Sequence, residues 1–208
     1  MSVGAVVLAA GEGSRIGYRP KCLLRLAGKP LIRRQVEFLS EAGAAEIAVV
    51  LGHYAELIKE AVSGLPVKLC YQSEDQHTQP QSVRLGVGAL PSHVDTVLVS
   101  PADLPLLVGE DYRAVITAFA KRSSPTRFLG PVVGGVPGNP VVFDSFIRES
   151  IEVGAGEFGS GRWRQSGNEM ICHWETDNLH YVTDIDTEED RQRLATEFGV
   201  DLEWPPAL

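Results

Sequence analysis

The chain has 208 residues, 44% of them apolar, which suffices to bury one substantial core and fits one domain slightly above the common size. Its formal net charge of -8 excludes a general affinity for nucleic acid or anionic membrane, because both need a positive surface that displaces counterions. No apolar stretch is long enough to cross a bilayer, and the amino terminus lacks a signal peptide's basic region and cleavage site, so a cytoplasmic protein is expected.

Val3 to Ala10 is a continuous apolar run ending in glycines, and similar short runs recur at Ile47 to Leu51, Val67 to Tyr71 and Val94 to Val99. Such runs read as strands buried on both faces. Between and after them, apolar residues at three-to-four spacing predict helices over Leu31 to Ala42, Ala55 to Val62, Ser82 to Leu90 and Tyr112 to Lys121. Alternating strands and helices imply a mainly parallel sheet covered by helices, with the ligand crevice in the loops after Ala10, Tyr71 and Ser100. Beyond residue 120, shorter strands are expected at Phe128 to Val133, Pro140 to Phe143, Met170 to Trp174 and His180 to Thr183, with a glycine-rich segment, Gly154 to Gly161, among them. Thr187 and Asp190 form a variant capping box that opens a last helix to about Phe198. The whole reads as a single domain over residues 1–208, with its core at about 3–198 and a loose carboxyl-terminal tail.

The loop after the first strand, Leu8-Ala9-Ala10-Gly11-Glu12-Gly13-Ser14-Arg15, runs on to Pro20-Lys21 before any helix begins. Glycines let backbone N–H groups approach phosphate oxygens, and Arg15 and Lys21 add countercharge. A Rossmann dinucleotide loop is disfavoured, since Pro20 breaks the early helix it needs and Gly52-His53 supplies no acid after the second strand. A P-loop is disfavoured too, since no Gly-Lys followed by Ser or Thr comes after this strand. The bland alternative, a turn whose basic side chains face water, stays open from the loop alone.

Asp103 lies just past the apolar run that ends at Val99, on the same sheet edge as the glycine loop. Asp184 and Asp186 stand on alternate residues near the carboxyl end, so that one of them can join Asp103 in holding Mg2+, which takes one or two carboxylates and completes its shell with phosphate and water. Cys22, Cys70 and Cys172 are far apart with no CxxC pair, which predicts reduced thiols, Cys22 being notable for its place beside Lys21. The five histidines are scattered and form no ligand spacing; His77 is the one in the loop that follows Tyr71, and Trp163 and Trp174 read as core or wall residues.

These pieces in this order, with Pro20-Lys21-Cys22-Leu23-Leu24, Gly28-Lys29-Pro30-Leu31, Asp103-Leu104-Pro105-Leu106-Leu107, Gly138-Asn139-Pro140 and Asp184-Ile185-Asp186-Thr187, resemble the MobA-like NTP transferase family over about residues 3–195. Within it the likeness is greatest to the molybdenum cofactor cytidylyltransferases. The resemblance implies a GT-A-like, nucleotide-diphospho-sugar transferase fold: a Rossmann-like three-layer α/β sandwich with a mostly parallel sheet. It implies that Leu8, Ala9, Ala10, Gly11, Gly13, Arg15 and Lys21 cradle the nucleotide, with Gln81 and Ser82 touching base or ribose, and that Arg15, Lys21 and Asp103 act in catalysis. It also implies Mg2+ on Asp103 and Asp186, with Asp184 as the second choice. The expected partners are a nucleoside triphosphate, foremost CTP, and a phosphorylated small-molecule acceptor such as molybdopterin cofactor. Transfer of a guanylyl or other nucleotidyl group to a sugar or alcohol phosphate, and a non-catalytic nucleotide-binding regulator, are the alternatives. The chain departs from the family pattern at Glu74 to Gln79 and at Gly156 to Arg162.

Overall fold

The computed structural model describes residues 1–73, 78–154 and 167–206. Glu74 to His77, the Gly156 to Arg162 stretch, Trp163 and all but the start of the Gly154 to Gly161 segment lie outside the described residues.

The first strand, β1 (Val3–Ala9), forms over the apolar run and gives way to a loop with short 3-10 turns at Ser14–Ile16 and Lys21–Leu23. A hairpin of β2 (Arg25–Leu26) and β3 (Lys29–Pro30) follows, turned by Ala27 and Gly28 at φ of 52° and 77°. Next come α1 (Leu31–Glu41), β4 (Ala44–Leu51), α2 (Ala55–Ala61), β5 (Lys68–Tyr71), α3 (Gln79–Ala89), β6 (Thr96–Pro101) and α4 (Gly109–Ala120). The remainder supplies β7 (Phe128–Val133), β8 (Val136–Pro137), β9 (Val141–Asp144), α5 (Ser145–Glu152), β10 (Ile171–Glu175), α6 (Glu188–Phe198) and β11 (Leu202–Glu203). Among the described residues, no helix is long and apolar enough to cross a membrane.

The main sheet runs β10-β7-β9-β6-β1-β4-β5, with β8 paired to β7. β6, β1, β4 and β5 are parallel, and β9 runs against β6 and β7. The chain steps outward from β1 to β4 and β5, then crosses back to β6 on the other side of β1. The carboxyl ends of β1 and β6 therefore flank the topological switch point, where open α/β sheets leave a crevice.

Alternate residues of β1 feed two apolar layers. Ala5, Val7 and Ala9 pack with Ile32, Val36 and Leu39 of α1, Ile58 of α2, and Tyr112 and Phe119 of α4. Val6 packs with Val83 and Val87 of α3 and Ile147 and Ile151 of α5 on the opposite face. A Cβ on Gly86 would stand 2.3 Å from Val6 Cγ1, so α3 lies closer to the sheet than any larger residue permits. The result is the three-layer sandwich with a mostly parallel sheet that the sequence implies.

The local reading changes in four places. His180 to Thr183 is not a strand: Asn178 Oδ1 accepts from His180 N at 3.0 Å and winds Leu179–Tyr181 into a 3-10 turn that buries Tyr181. α3 opens at Gln79, ahead of Ser82, because Pro80 suits a first turn and Gln81 Oε1 accepts from Thr78 N at 3.2 Å and Thr78 Oγ1 at 2.6 Å. α5 is an element the periodicity did not reveal; Asp144 caps it, accepting from Phe146 N at 3.2 Å and Ile147 N at 3.4 Å. The tail is held: β11 pairs antiparallel with β2, and the Arg19 guanidinium lies 5.1 Å from the Trp204 ring centre.

Leu202 is fully buried in a third apolar cluster with Ile16, Leu24, Leu31, Leu106, Ile185 and Leu194. That cluster lies beneath the loop after β1, the loop after β6 and the segment before α6. Leu202→Ala is expected to cost about 3 kcal/mol of stability, read as a lowered denaturant midpoint in equilibrium unfolding. A tail that packs loosely would leave the midpoint where it is.

Candidate active site

A cavity of about 370 Å³ opens at the carboxyl ends of β1 and β6. Its walls include Leu8, Ala9, Ala10, Gly11, Gly13 and Arg15 from the first strand and loop, Lys21 and Cys22, Ser82 of α3, and Asp103 and Asp186. Gln81 and Asp184 do not line it, whereas Gln72 and Gln79 do.

The loop after β1 is shaped by its glycines. Gly13 has a φ of 65°, and a Cβ there would stand 2.0 Å from the Arg19 carbonyl oxygen, so only glycine fits where the loop's outgoing and returning limbs meet. Gly13 O accepts from Ile16 N at 3.0 Å and Tyr18 N at 2.9 Å, which closes the turn that carries Arg15. Ile16 is buried in the third cluster and anchors the turn from below.

Asp103 follows the end of β6. Ala102 N donates to Leu8 O at 3.0 Å, and the buried Gln35 side chain of α1 donates from Nε2 to Pro101 O at 3.0 Å, which fixes the chain just ahead of the carboxylate. The segment bearing Asp184 and Asp186 is drawn alongside by one backbone bond, Ile185 N to Asp103 O at 3.1 Å. Ile185 points into the third cluster, so the acids on either side of it project elsewhere. Asp190 Oδ2, at the start of α6, accepts from Asp186 N at 3.0 Å and Thr187 N at 2.9 Å, which sets the direction of Asp186.

Farther back, buried Asp111 of α4 accepts from Val108 N at 2.9 Å and Asn178 Nδ2 at 2.7 Å and meets His180 Nδ1 at 2.8 Å. Tyr181 OH donates to Asp111 O at 2.9 Å. Gly138 belongs to the same brace: a Cβ on it would stand 2.4 Å from Tyr181 O, which accepts from Asn139 N at 2.8 Å. The Gly138-Asn139-Pro140 motif thus supports the acid-bearing segment from outside the cavity.

Lys21 Nζ lies 2.7 Å from Asp103 Oδ2 and 2.8 Å from Asp186 Oδ1, and Arg15 donates from a terminal guanidinium nitrogen to Asp186 Oδ2 at 2.6 Å. Burial works to lower the pKa of the Lys21 ammonium, but the charges and hydrogen bonds of Asp103 and Asp186 outweigh it and hold the pKa above its ordinary value. Partial desolvation, then the charges of Asp103 and Asp186, push the Asp184 carboxyl above its usual range.

Among the described residues no group of three or more His, Cys, Asp and Glu side chains gathers to hold a metal unaided. The pair Asp103 and Asp186 nevertheless fits a hard divalent ion, since both offer carboxylate oxygens to one positive centre and such an ion takes its remaining ligands from phosphate and water. The arrangement can therefore balance a cation against two carboxylates while basic groups and loop amides attract an anionic chain of phosphates.

Of the residues expected at the site, the fold brings Leu8, Ala9, Ala10, Gly11, Gly13, Arg15, Lys21, Ser82, Asp103 and Asp186 to one cavity. Gln81 is spent on the cap of α3. Gln72, one residue past β5, takes the wall position, and Ser82 Oγ lies 3.0 Å from its Oε1. The rule that ligands meet the carboxyl ends of parallel strands could have found Gln72, which directly follows the run ending at Tyr71.

Fold and site together define an α/β domain that presents a glycine loop, two cations and two carboxylates at the switch point of a mostly parallel sheet. The family model of the MobA-like NTP transferase domain matches residues 5–170, and the chain belongs to that family. It is 31% identical over 147 residues to the bifunctional protein GlmU of Heliobacterium modesticaldum, which covers 70% of this chain and 31% of that protein. The chain thus spans about a third of the length of the curated relative it matches. A nucleotidyl transferase from Methanothermobacter thermautotroptrophicus superposes with a TM-score of 0.75 at 24% identity, covering 95% of this chain and 97% of that one. A cytidylyltransferase from Leptospira borgpetersenii does so with a TM-score of 0.70 at 16% identity, over 93% and 85% of the two chains. These two structural likenesses speak for the fold alone.

Burial, and secondarily the Asp103 charge, push the Cys22 thiol up to about 12. A raised thiol pKa favours the protonated form at every lower pH, so at pH 8 roughly one Cys22 in ten thousand is a thiolate. Cys22 is therefore expected to resist iodoacetamide at pH 8 in the folded protein and to react once urea unfolds it, as read by peptide mass spectrometry.

Proposed function

We propose that this chain, acting as a single nucleotidyltransferase domain over residues 1–208, moves a nucleotidyl group from a nucleoside triphosphate, CTP by preference, to a phosphorylated small-molecule acceptor such as molybdopterin cofactor, and releases pyrophosphate. The observation that carries the reading is the Lys21 ammonium seated between Asp103 and Asp186, beside Arg15 and a glycine loop, at the switch point of a parallel sheet. CTP and the molybdopterin-type acceptor rest on the motif resemblance. The cytoplasm, where nucleoside triphosphates are abundant, is the proposed compartment.

In this reading the amides of the loop and the side chains of Arg15 and Lys21 bind the triphosphate and stabilise the departing pyrophosphate. Asp103 and Asp186 would hold Mg2+, which would supply compensation for the negative charge of the phosphates. Gln72, Gln79 and Ser82 form the wall against the nucleoside. An acceptor phosphate attacks the alpha-phosphorus in line, the new P–O bond replacing the bond to the beta-phosphate oxygen. With a second phosphate pKa near roughly 6, that acceptor is already largely ionised at neutral pH and needs no general base. Among the described residues, the wall offers carboxylates and cations but no histidine.

Lys21→Ala is expected to lower kcat/KM on the order of a hundredfold, and Asp103→Asn to weaken the dependence of turnover on Mg2+. Thermal unfolding with CTP, GTP, ATP and UTP, each with and without Mg2+, tests donor and metal together, since a ligand bound by the folded state raises the midpoint. A shift with CTP that needs Mg2+ is expected. A midpoint that no nucleotide moves, or a Lys21→Ala protein that turns over normally, would refute the assignment.

A further inference from the structure

The connection from β4 to α2, Gly52-His53-Tyr54, touches the loop after β1 at the backbone carbonyls of Ala10, Glu12 and Tyr18. A Cβ on Gly52 would stand 2.5 Å from Ala10 O, so the two backbones run against each other there. His53 Nδ1 lies 3.3 Å from the same Ala10 O. Tyr54 OH lies 3.0 Å from Glu12 O and close to Tyr18 O as well, so its one proton is shared between the outgoing and returning limbs of the loop. Tyr18 has a φ of 56°, a left-handed backbone for a tyrosine, and it needs such support to persist.

In a planar trans peptide the C=O of one residue and the N–H of the next point in opposite directions. Fixing the carbonyls of Ala10 and Glu12 from behind therefore fixes the N–H groups of Gly11 and Gly13 toward the other side. Both glycines line the cavity. Among the described residues, no hydrogen bond within the protein uses the N–H of Gly11, Glu12 or Gly13. We infer that Tyr54, helped by His53, is a positioning residue for the nucleotide: it aims the Gly11 and Gly13 amides at the phosphates by holding the carbonyls on their far side. This rests on the proposed function, because it takes the loop to be the triphosphate cradle. Neither side chain lines the cavity, so the role is one of preorganisation rather than contact.

Tyr54→Phe deletes the hydroxyl and keeps the ring, which packs against the apolar core, so the fold is expected to stand. Inorganic pyrophosphate serves as the probe because it engages the cradle without a base. Calorimetric titration of the full chain is expected to show a Kd raised about tenfold, the equivalent of a hydrogen bond or so. The ligand-free unfolding midpoint should stay close to wild type. In 15N–1H spectra the Gly13 amide should move in Tyr54→Phe and the Gly11 amide in His53→Ala, with each variant losing part of the shift that pyrophosphate induces there. Pyrophosphate affinity within twofold of wild type in Tyr54→Phe would overturn the inference. So would a loss of affinity that tracks a lowered midpoint, with the glycine amides unmoved. Wild-type protein that binds neither pyrophosphate nor any nucleotide would instead overturn the functional reading, and the inference with it.

Discussion

Two carboxylates that share one cation set the terms for the rest of this structure. Asp103 and Asp186 repel each other, and both are only about a quarter exposed, at 22% and 27%. Placing like charges together in partly desolvated surroundings is costly unless a positive centre joins them. Lys21 supplies that centre and Arg15 a second contact to Asp186. The four groups come from three distant parts of the chain, so the fold must deliver a loop, a strand end and a helix approach to one point.

The delivery is made mostly by backbone. The single bond from Ile185 N to Asp103 O brings the acid-bearing segments side by side, and the apolar cluster around Ile185, Leu106, Ile16 and Leu202 seals them from beneath. Asp111 and the Gly138 contact hold the outer end of the same segment against α4 and the sheet. These are neutral or fully paired contacts, which tolerate burial, and they leave the charged groups at the cavity wall. The division places rigid support behind the site and polar chemistry in front of it.

The loop after β1 keeps its amides unspent: among the described residues, no hydrogen bond within the protein uses the N–H of Gly11, Glu12 or Gly13. Regular structure consumes N–H groups, so the loop after β1 stays irregular and depends on glycines and on neighbours for its shape. Gly13 meets the returning limb where no side chain could fit, and the connection after β4 reaches the loop's carbonyls from outside. Order in such a loop is borrowed from elements that precede and follow it in the sheet.

The sequence by itself determined the parallel core, because apolar runs of strand length alternating with helical periodicity leave few other ways to bury so much surface. It also pointed to the loop and to the acids, Asp103 and Asp186, that the fold brings to one cavity, since glycines, cations and carboxylates past strand ends have strong local signatures. Where a residue's use depended on partners far along the chain, local pattern was silent. Gln81 and Gln72 are both glutamines near the third strand, yet one is taken by the Thr78 cap and the other faces the cavity. The two-residue strands β2, β3 and β11 are too short to show any period, and Leu202 looks like a stray apolar residue in a tail until β2 pairs with it. His180 to Thr183 reads as a strand by composition, but Asn178 and Asp111 claim its backbone and side chains first. Only tertiary structure decided these matters, because a hydrogen bond or a buried contact is chosen by competition among all groups within reach, and reach in space is not written in sequence order.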